Sequence, residues 1–256
     1  MVAVQPAEAG DRNAFAPART LAHRPASGLW RSMPYAALAT DYDGTLAHDG
    51  RADEAALAAL ARLRAAGWRL ILATGRDLDD LRRLMPRLAS FDRVVAEDGA
   101  VLHDPATGTV RLLARPPPAA FAAALRAAGV RPLRAGRVVV AAWEAHEEQV
   151  RAVARGLRLD LRLSRNKGAL MALPEGVDKG RGTAEALHEL GVDAADCVGV
   201  GDAENDLTLL ALCGLPVAVA NATPAVKRAA TLVTRGECGA GVAELVEHLL
   251  DRRPPA

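Results

Sequence analysis

Two aspartates stand two residues apart in the segment Asp41-Tyr42-Asp43-Gly44-Thr45-Leu46. The run before them, Ala36-Ala37-Leu38-Ala39-Thr40, is short and apolar, as a buried parallel strand is. Both carboxylates therefore emerge where that strand ends, the edge at which open α/β sheets bind ligands. A carboxylate there can attack phosphorus and form an aspartyl phosphate. A second one, two residues on, can protonate the leaving oxygen and later deprotonate water. Gly44 lets the chain turn away toward the following helix. Asp and Gly are also ordinary turn residues, so this segment alone is equally a plain strand-to-loop turn. Its partners elsewhere decide.

Such partners recur along the chain. Trp68-Arg69-Leu70-Ile71-Leu72-Ala73 reads as a second buried strand ending on Thr74-Gly75-Arg76, with Asp77 placed to cap a helix over 78–85. A hydroxyl followed by glycine, just ahead of a helix N-terminus, suits a phosphate, because hydroxyl, backbone N–H groups and dipole all favour an anion. A plain strand-turn-helix cap uses the same residues. Asp178-Lys179-Gly180 opens a helix that runs to about Leu190, and Cys197-Val198-Gly199-Val200 is a further buried strand. That strand ends in Gly201-Asp202-Ala203-Glu204-Asn205-Asp206, where Asp202 and Asp206 lie one helical turn apart. Asp41/Asp43, Thr74, Lys179 and Asp202/Asp206 thus belong on one edge of one sheet.

The elements that must position them follow a βα rhythm with one interruption. Asp53 caps a helix through about Ala66, with Leu57, Leu60 and Leu63 on one face. Val94-Val95-Ala96 is a third strand, followed by Glu97-Asp98-Gly99-Ala100 and a hairpin across Asp104-Pro105-Ala106-Thr107-Gly108. From Pro116 the rhythm changes. The pattern predicts a helix over 121–128, a strand over 137–140, a helix over 144–155 and strands over 159–163 and 169–173. Helix, strand, strand occurs twice, a weak internal repeat. Rhythm resumes at Asp178, with later strands over 217–220 and 231–233, a short helix from Pro224, and a closing helix over 241–250. The fold class is α/β: a Rossmann-like doubly wound parallel sheet core with an inserted small α+β cap domain. The expected boundaries are a disordered N-terminal extension over 1–33, core over 34–114, insert over 115–174 and core over 175–256.

Composition excludes several classes. Half of the 256 residues are hydrophobic, so the chain can bury one large core or a core plus a smaller domain. Lys+Arg 32 against Asp+Glu 31 leaves no global field for nucleic acid or an anionic membrane. Cys197, Cys213 and Cys238 form no C-x-x-C, which speaks against a zinc site or disulfide framework and fits a reducing cytoplasm. The charge-free run from Leu207 to Val226 is long enough to span a membrane but is broken by Pro216, Asn221 and Pro224. The first 33 residues lack the apolar core of a secretory signal. Their Arg and Ala fit a transit peptide, but Glu8 and Asp11 do not.

Together, residues 41–46, Thr74-Gly75-Arg76, Asp178-Lys179-Gly180 and residues 201–206 resemble, in order and kind, the four motifs of the haloacid dehalogenase superfamily. The likeness is to its phosphatases with a C2-type cap between the second and third motifs, and it spans Tyr35 to Leu250. It implies Asp41 as nucleophile and metal ligand, the Asp43 backbone carbonyl and Asp202 as further ligands, and Asp206 in support. It implies Asp43 as general acid/base, whereas related transport ATPases carry Thr there. Thr74, the Gly75 amide and Lys179 would cradle the phosphoryl group, and Asn205 would fix Lys179 or the phosphate. The implied cofactor is Mg²⁺, a hard cation that offsets the repulsion between a carboxylate and a phosphate. Asp98 is a departure, since relatives often have Asn there.

Smaller expectations concern substrate contacts. Arg76 steers phosphate or covers a helix start, and Arg165, Asn166 and Lys167 either read the leaving group from a cap turn or form a solvated turn. His48 is a solvated loop residue or a substrate contact. The implied activity is hydrolysis of a small phosphorylated metabolite, a sugar phosphate, phosphoglycolate or similar acid. A phosphomutase and a non-catalytic phosphate or Mg²⁺ binding module are the alternatives, and binding alone needs no second acid at Asp43. Oligomeric state and pathway have no signature in the chain.

Overall fold

The computed structural model of the protein describes residues 19–20, 35–166 and 168–251. Its first half contains β1 (Arg19–Thr20), β2 (Ala37–Asp41), β3 (Ala47–His48), β4 (Arg51–Ala52), α1 (Glu54–Ala65), β5 (Arg69–Ala73), α2 (Leu78–Leu84), β6 (Arg93–Ala96), β7 (Val101–His103) and β8 (Val110–Leu112). The insert follows as α3 (Ala119–Ala127), β9 (Arg134–Ala135), β10 (Val140–Trp143), α4 (Glu147–Gly156), β11 (Leu161–Asn166) and β12 (Ala169–Pro174). The chain then makes α5 (Lys179–Leu190), β13 (Cys197–Gly201), α6 (Leu207–Leu212), β14 (Leu215–Ala218), α7 (Pro224–Ala229), β15 (Leu232–Val233) and α8 (Cys238–Leu250).

The large sheet has the order β1-β15-β14-β13-β2-β5-β6-β7-β8, parallel from β1 through β6 and antiparallel over the last two strands. Every residue of β2 is buried, because helices cover both faces. Its side chains alternate: Leu38 packs with Leu70 and Leu72 on one face, Ala37 and Ala39 with Ile71 and Ala73 on the other. The Asp53 carboxylate caps α1 by accepting the Ala55 and Ala56 amides, which fixes where the helix starts, and Leu57, Leu60 and Leu63 then face the core. Strand β2 neighbours β5 on one side and β13 on the other. The chain reverses direction of winding there, and the crevice at such a point is where open sheets bind ligands.

The insert builds a second, antiparallel sheet of order β11-β12-β10-β9. One face carries Val140, Ala142, Leu170 and Ala172, which pack with Phe121 and Leu125 of α3 and Val150 of α4. The other carries Met171 and Leu173, which with Val139 of the turn before β10 join the main core. Helix, strand, strand does occur twice, as the sequence pattern suggests.

Three elements depart from expectation. The strand predicted over 137–140 pairs only from Val140 onward, because the amides of residues 137–139 are drawn out of the ladder toward Glu97. The strand predicted over 159–163 pairs from Leu161 instead, because the Leu159 amide still closes the end of α4 on the Ala154 carbonyl. Strand β14 pairs over 215–218 rather than 217–220, and the Ala220 amide bonds the Gly236 carbonyl instead. Within the expected N-terminal extension, Arg19–Thr20 pairs parallel to Leu232–Val233 at the sheet edge. An edge strand offers unpaired backbone groups to such a segment, whatever its side chains. The rest of that extension lies outside the described residues.

Candidate active site

The carboxyl ends of β2, β5 and β13 fall side by side, with Asp41 in register with Ala73 and Thr40 with Val200. This register brings residues from four segments of the chain together. Lys179, the first residue of α5, is fully buried and donates to Asp41 Oδ1 at 2.5 Å and to Asp206 Oδ1 at 2.6 Å. Asp206 Oδ2 accepts the backbone amides of Asp202 at 2.9 Å and Ala203 at 3.0 Å. Gly201 makes that turn possible, since a Cβ there would lie 2.5 Å from Asp206 Cβ. The Thr45 hydroxyl donates to Asp202 Oδ1 at 3.0 Å.

Two buried carboxylates thus share one ammonium, with Asp202 close to both. Burial raises the Asp41 carboxyl well above the usual range; Asp206 and Asp202 push the same way, and Lys179 opposes them. Burial would lower the Lys179 pKa, but Asp206, Asp41 and Asp98 outweigh it and raise it. Oxygen atoms of Asp41, Asp202 and Asp206 all lie within 4.8 Å of one another. All-oxygen, acidic and short of positive charge, this donor set fits a hard divalent cation.

Asp43 faces different surroundings. Arg76 grips its carboxylate with two hydrogen bonds, Nε to Oδ2 at 2.6 Å and Nη2 to Oδ1 at 2.7 Å, and reaches Asp80 Oδ2 with Nη1 at 2.8 Å. The guanidinium also lies over the Tyr42 ring, 5.8 Å from its centroid. Arg76 therefore orients Asp43 rather than merely covering a helix start. Thr74 is buried, and its oxygen accepts the Arg76 amide at 3.1 Å, which leaves the hydroxyl proton to donate elsewhere. Gly75 lines a cavity of about 370 Å³ with Asp41, Asp43 and Arg76. The facing wall comes from the insert: Arg134, Val139, Trp143 and Met171.

Other expected contacts are placed differently. Asn205 Nδ2 donates to Asp98 Oδ1 at 3.0 Å. The reason is the carboxylate at position 98, turned inward by a backbone with φ of 55° and raised in pKa chiefly by burial. Asn205 Oδ1 is left buried without a hydrogen-bond partner. Arg165 does not reach the cavity. It sits on β11, the strand of the insert farthest from β9, and pairs with Glu147 at 2.5 Å. The Asn166 side chain and Lys167 lie outside the described residues. His48 is exposed beside Asp49, away from the cavity. Sequence patterns missed Glu97, Arg134 and Trp143, all of which line the cavity. Glu97 alone had a signal, as an acid directly after a buried strand.

A doubly wound sheet that gathers carboxylates and one ammonium at its reversal point is equipped for an anionic substrate accompanied by a cation, as the phosphoryl-transfer hydrolases are. The sequence model of the haloacid dehalogenase-like hydrolases matches residues 38–116 and 144–246, so the chain belongs to that family. It is 34% identical to a phosphoglycolate phosphatase of Methanopyrus kandleri over 226 residues, 83% of this chain and 96% of the relative. A phosphoglycolate phosphatase of Pyrobaculum neutrophilum is 33% identical over 219 residues, 83% of this chain and 95% of the relative. The crystal structure of a haloacid dehalogenase-like hydrolase from Bacteroides thetaiotaomicron superposes with a TM-score of 0.71 at 20% identity, over 84% of this chain and 99% of that one. That likeness concerns the fold. Among the described residues no helix is long and apolar enough to cross a membrane.

Proposed function

We propose that this protein is a cytoplasmic, Mg²⁺-dependent phosphatase that hydrolyses a small phosphorylated metabolite, with phosphoglycolate and related acids foremost. The observation that carries this reading is the buried Lys179 bridging Asp41 and Asp206 next to Asp202. Lys179 orients the Asp41 carboxylate toward the cavity and supplies positive charge for the oxygens of the transferring phosphoryl group. Asp41 attacks phosphorus as the ester bond breaks, and Asp43, once a proton from solvent has replaced one Arg76 hydrogen bond on its carboxylate, passes that proton to the leaving oxygen. Asp43 then takes a proton from water, whose oxygen attacks the phosphorus held on Asp41. Inorganic phosphate and the original carboxylate result. Thr74 and the Gly75 amide donate to the phosphoryl oxygens.

Mg²⁺ held by Asp41, the Asp43 carbonyl and Asp202 would neutralise the charge between nucleophile and phosphate. Asp206, with both oxygens already engaged, supports this set through Lys179 and the amides of Asp202 and Ala203. Residues 115–174 act as a cap: their sheet walls one side of the cavity over Asp41, and the leaving group must fit between the two. The substrate class rests on the two phosphoglycolate phosphatases named above. Phosphate release from a panel of phosphorylated metabolites tests the reading. Turnover of 2-phosphoglycolate or a close acid is expected, abolished by EDTA and restored by Mg²⁺. Full activity in chelated, metal-free protein would overturn it, as would a need for a bisphosphorylated activator.

A further inference from the structure

The turn after β6 holds a carboxylate that the chemistry above does not use. Glu97 is only 1% exposed, and it accepts three backbone N–H groups from a single turn of the insert. Oε1 takes Arg137 at 2.8 Å, and Oε2 takes Val138 and Val139, each at 2.8 Å. The Gly136 amide donates to the Val139 carbonyl at 2.8 Å, so residues 136–139 curl into a nest of converging amides, a shape that binds anions. Both sides are built for the contact. A Cβ on Gly136 would lie 2.5 Å from Glu97 Oε2, so only glycine admits the carboxylate there. On the core side Glu97, Asp98 and Gly99 have successive φ values of 51°, 55° and 102°. Non-glycine residues hold that conformation only under constraint. The Glu97 amide is tied to the Arg76 carbonyl at 2.9 Å, in the segment that grips Asp43.

The nest joins β9 to β10, the strands whose Arg134 and Trp143 face Asp41 across the cavity. Two ion pairs flank it, Arg137 with Asp79 and Arg134 with Asp80, but their arginines are exposed, and such pairs fix geometry weakly. A buried carboxylate saturated by three directed donors is satisfied in one placement only. We propose that Glu97 is a positioning residue: it sets where the cap's wall stands over the phosphoryl site and so selects the leaving group. This rests on the cap reading given above.

The test uses full-length protein, Glu97→Gln and Gly136→Ala, which disturb the same contact from opposite sides. If Glu97→Gln fails to fold, Gly136→Ala carries the test. Amide hydrogen exchange at residues 137–139 is expected to accelerate by about tenfold or more in each variant, with exchange in Ala37–Asp41 and Leu170–Leu173 unchanged. In Mg²⁺, KM for 2-phosphoglycolate should rise by about tenfold, while kcat/KM for p-nitrophenyl phosphate, an activated ester that depends less on cap contacts, stays within about threefold. Unchanged exchange at 137–139 in both variants would overturn the proposal. Equal losses on both esters with faster exchange throughout the core would do the same, since that is the mark of general destabilisation. A wild type inactive on both esters would refute the phosphatase reading instead, and exchange would still decide whether Glu97 places the turn.

Discussion

Asp41 and Asp43 are two residues apart, yet the fold gives them unlike neighbours. Asp41 is held by a buried lysine within an acidic cluster, and Asp43 by a half-exposed arginine. Their substitutions should therefore separate cleanly. Asp43→Asn is expected to keep Mg²⁺ affinity, because its ligand is a backbone carbonyl, and to lose about 10²–10⁴-fold in turnover, the usual worth of general acid–base catalysis. With p-nitrophenyl phosphate, whose leaving group needs little protonation, label from ³²P-substrate should accumulate on Asp41. Asp41→Asn should trap none. Rapid quench and peptide mapping read both outcomes, and label on another residue would refute the assignment. At this scale the chain was legible where chemistry is local: Asp41, Thr74, Lys179 and Asp202 each close a buried run or open a helix. The grip of Arg76 on Asp43 and the bond from Asn205 to Asp98 join residues 33 and 107 positions apart. No spacing rule reaches that far.

Single elements carry the site only as well as they pack. The turn 97–99 presses against the start of α5, and Gly99, with φ of 102°, approaches so closely that a Cβ would fall 1.9 Å from the Asp178 carbonyl oxygen. Asp178 caps the helix whose first residue is Lys179. Gly99→Ala should thus cost about 1–3 kcal/mol of stability through overpacking and strain. It should also lower turnover beyond what the lost stability explains, because Lys179 moves with the helix start. Urea unfolding and kcat on the same preparation check this, and a variant of wild-type stability would contradict it. Most strands were legible because buried parallel strands are near-continuous apolar runs. Strand β10 was not, because its start depends on Glu97, some forty residues earlier, and local hydrophobicity across 137–140 says nothing of that competition.

For the whole molecule, the acidic cluster links folding, protons and metal. Because Asp41 is raised above its unfolded value, the folded chain retains a proton there that the unfolded chain has already released. Stability from this group therefore declines as pH rises from the ordinary carboxylate range toward the folded value. A cation needs the ionised ligand, so its stabilising effect grows over the same window. The gap in Tm between Mg²⁺ and EDTA samples should widen as pH rises above the ordinary carboxylate range. A gap independent of pH would remove Asp41 from the metal site. The doubly wound architecture followed from the alternation of strand and helix, and the insert from its interruption. Which insert face looks inward was not written in either, since β12 is apolar on both.

That two-sided strand has an evolutionary consequence. Along β10 and β12 the odd-numbered positions 141, 143, 169 and 171 line the cavity, while Val140, Ala142, Leu170 and Ala172 pack beneath α3 and α4. A strict period of two places the cavity wall and the packing beneath α3 and α4 on separate sets of codons of the same strands. Trp143 and Ala169 can then drift without eroding the packing beneath α3 and α4, whereas Met171 also belongs to the main core. A laboratory library confined to those four odd positions would explore the same space.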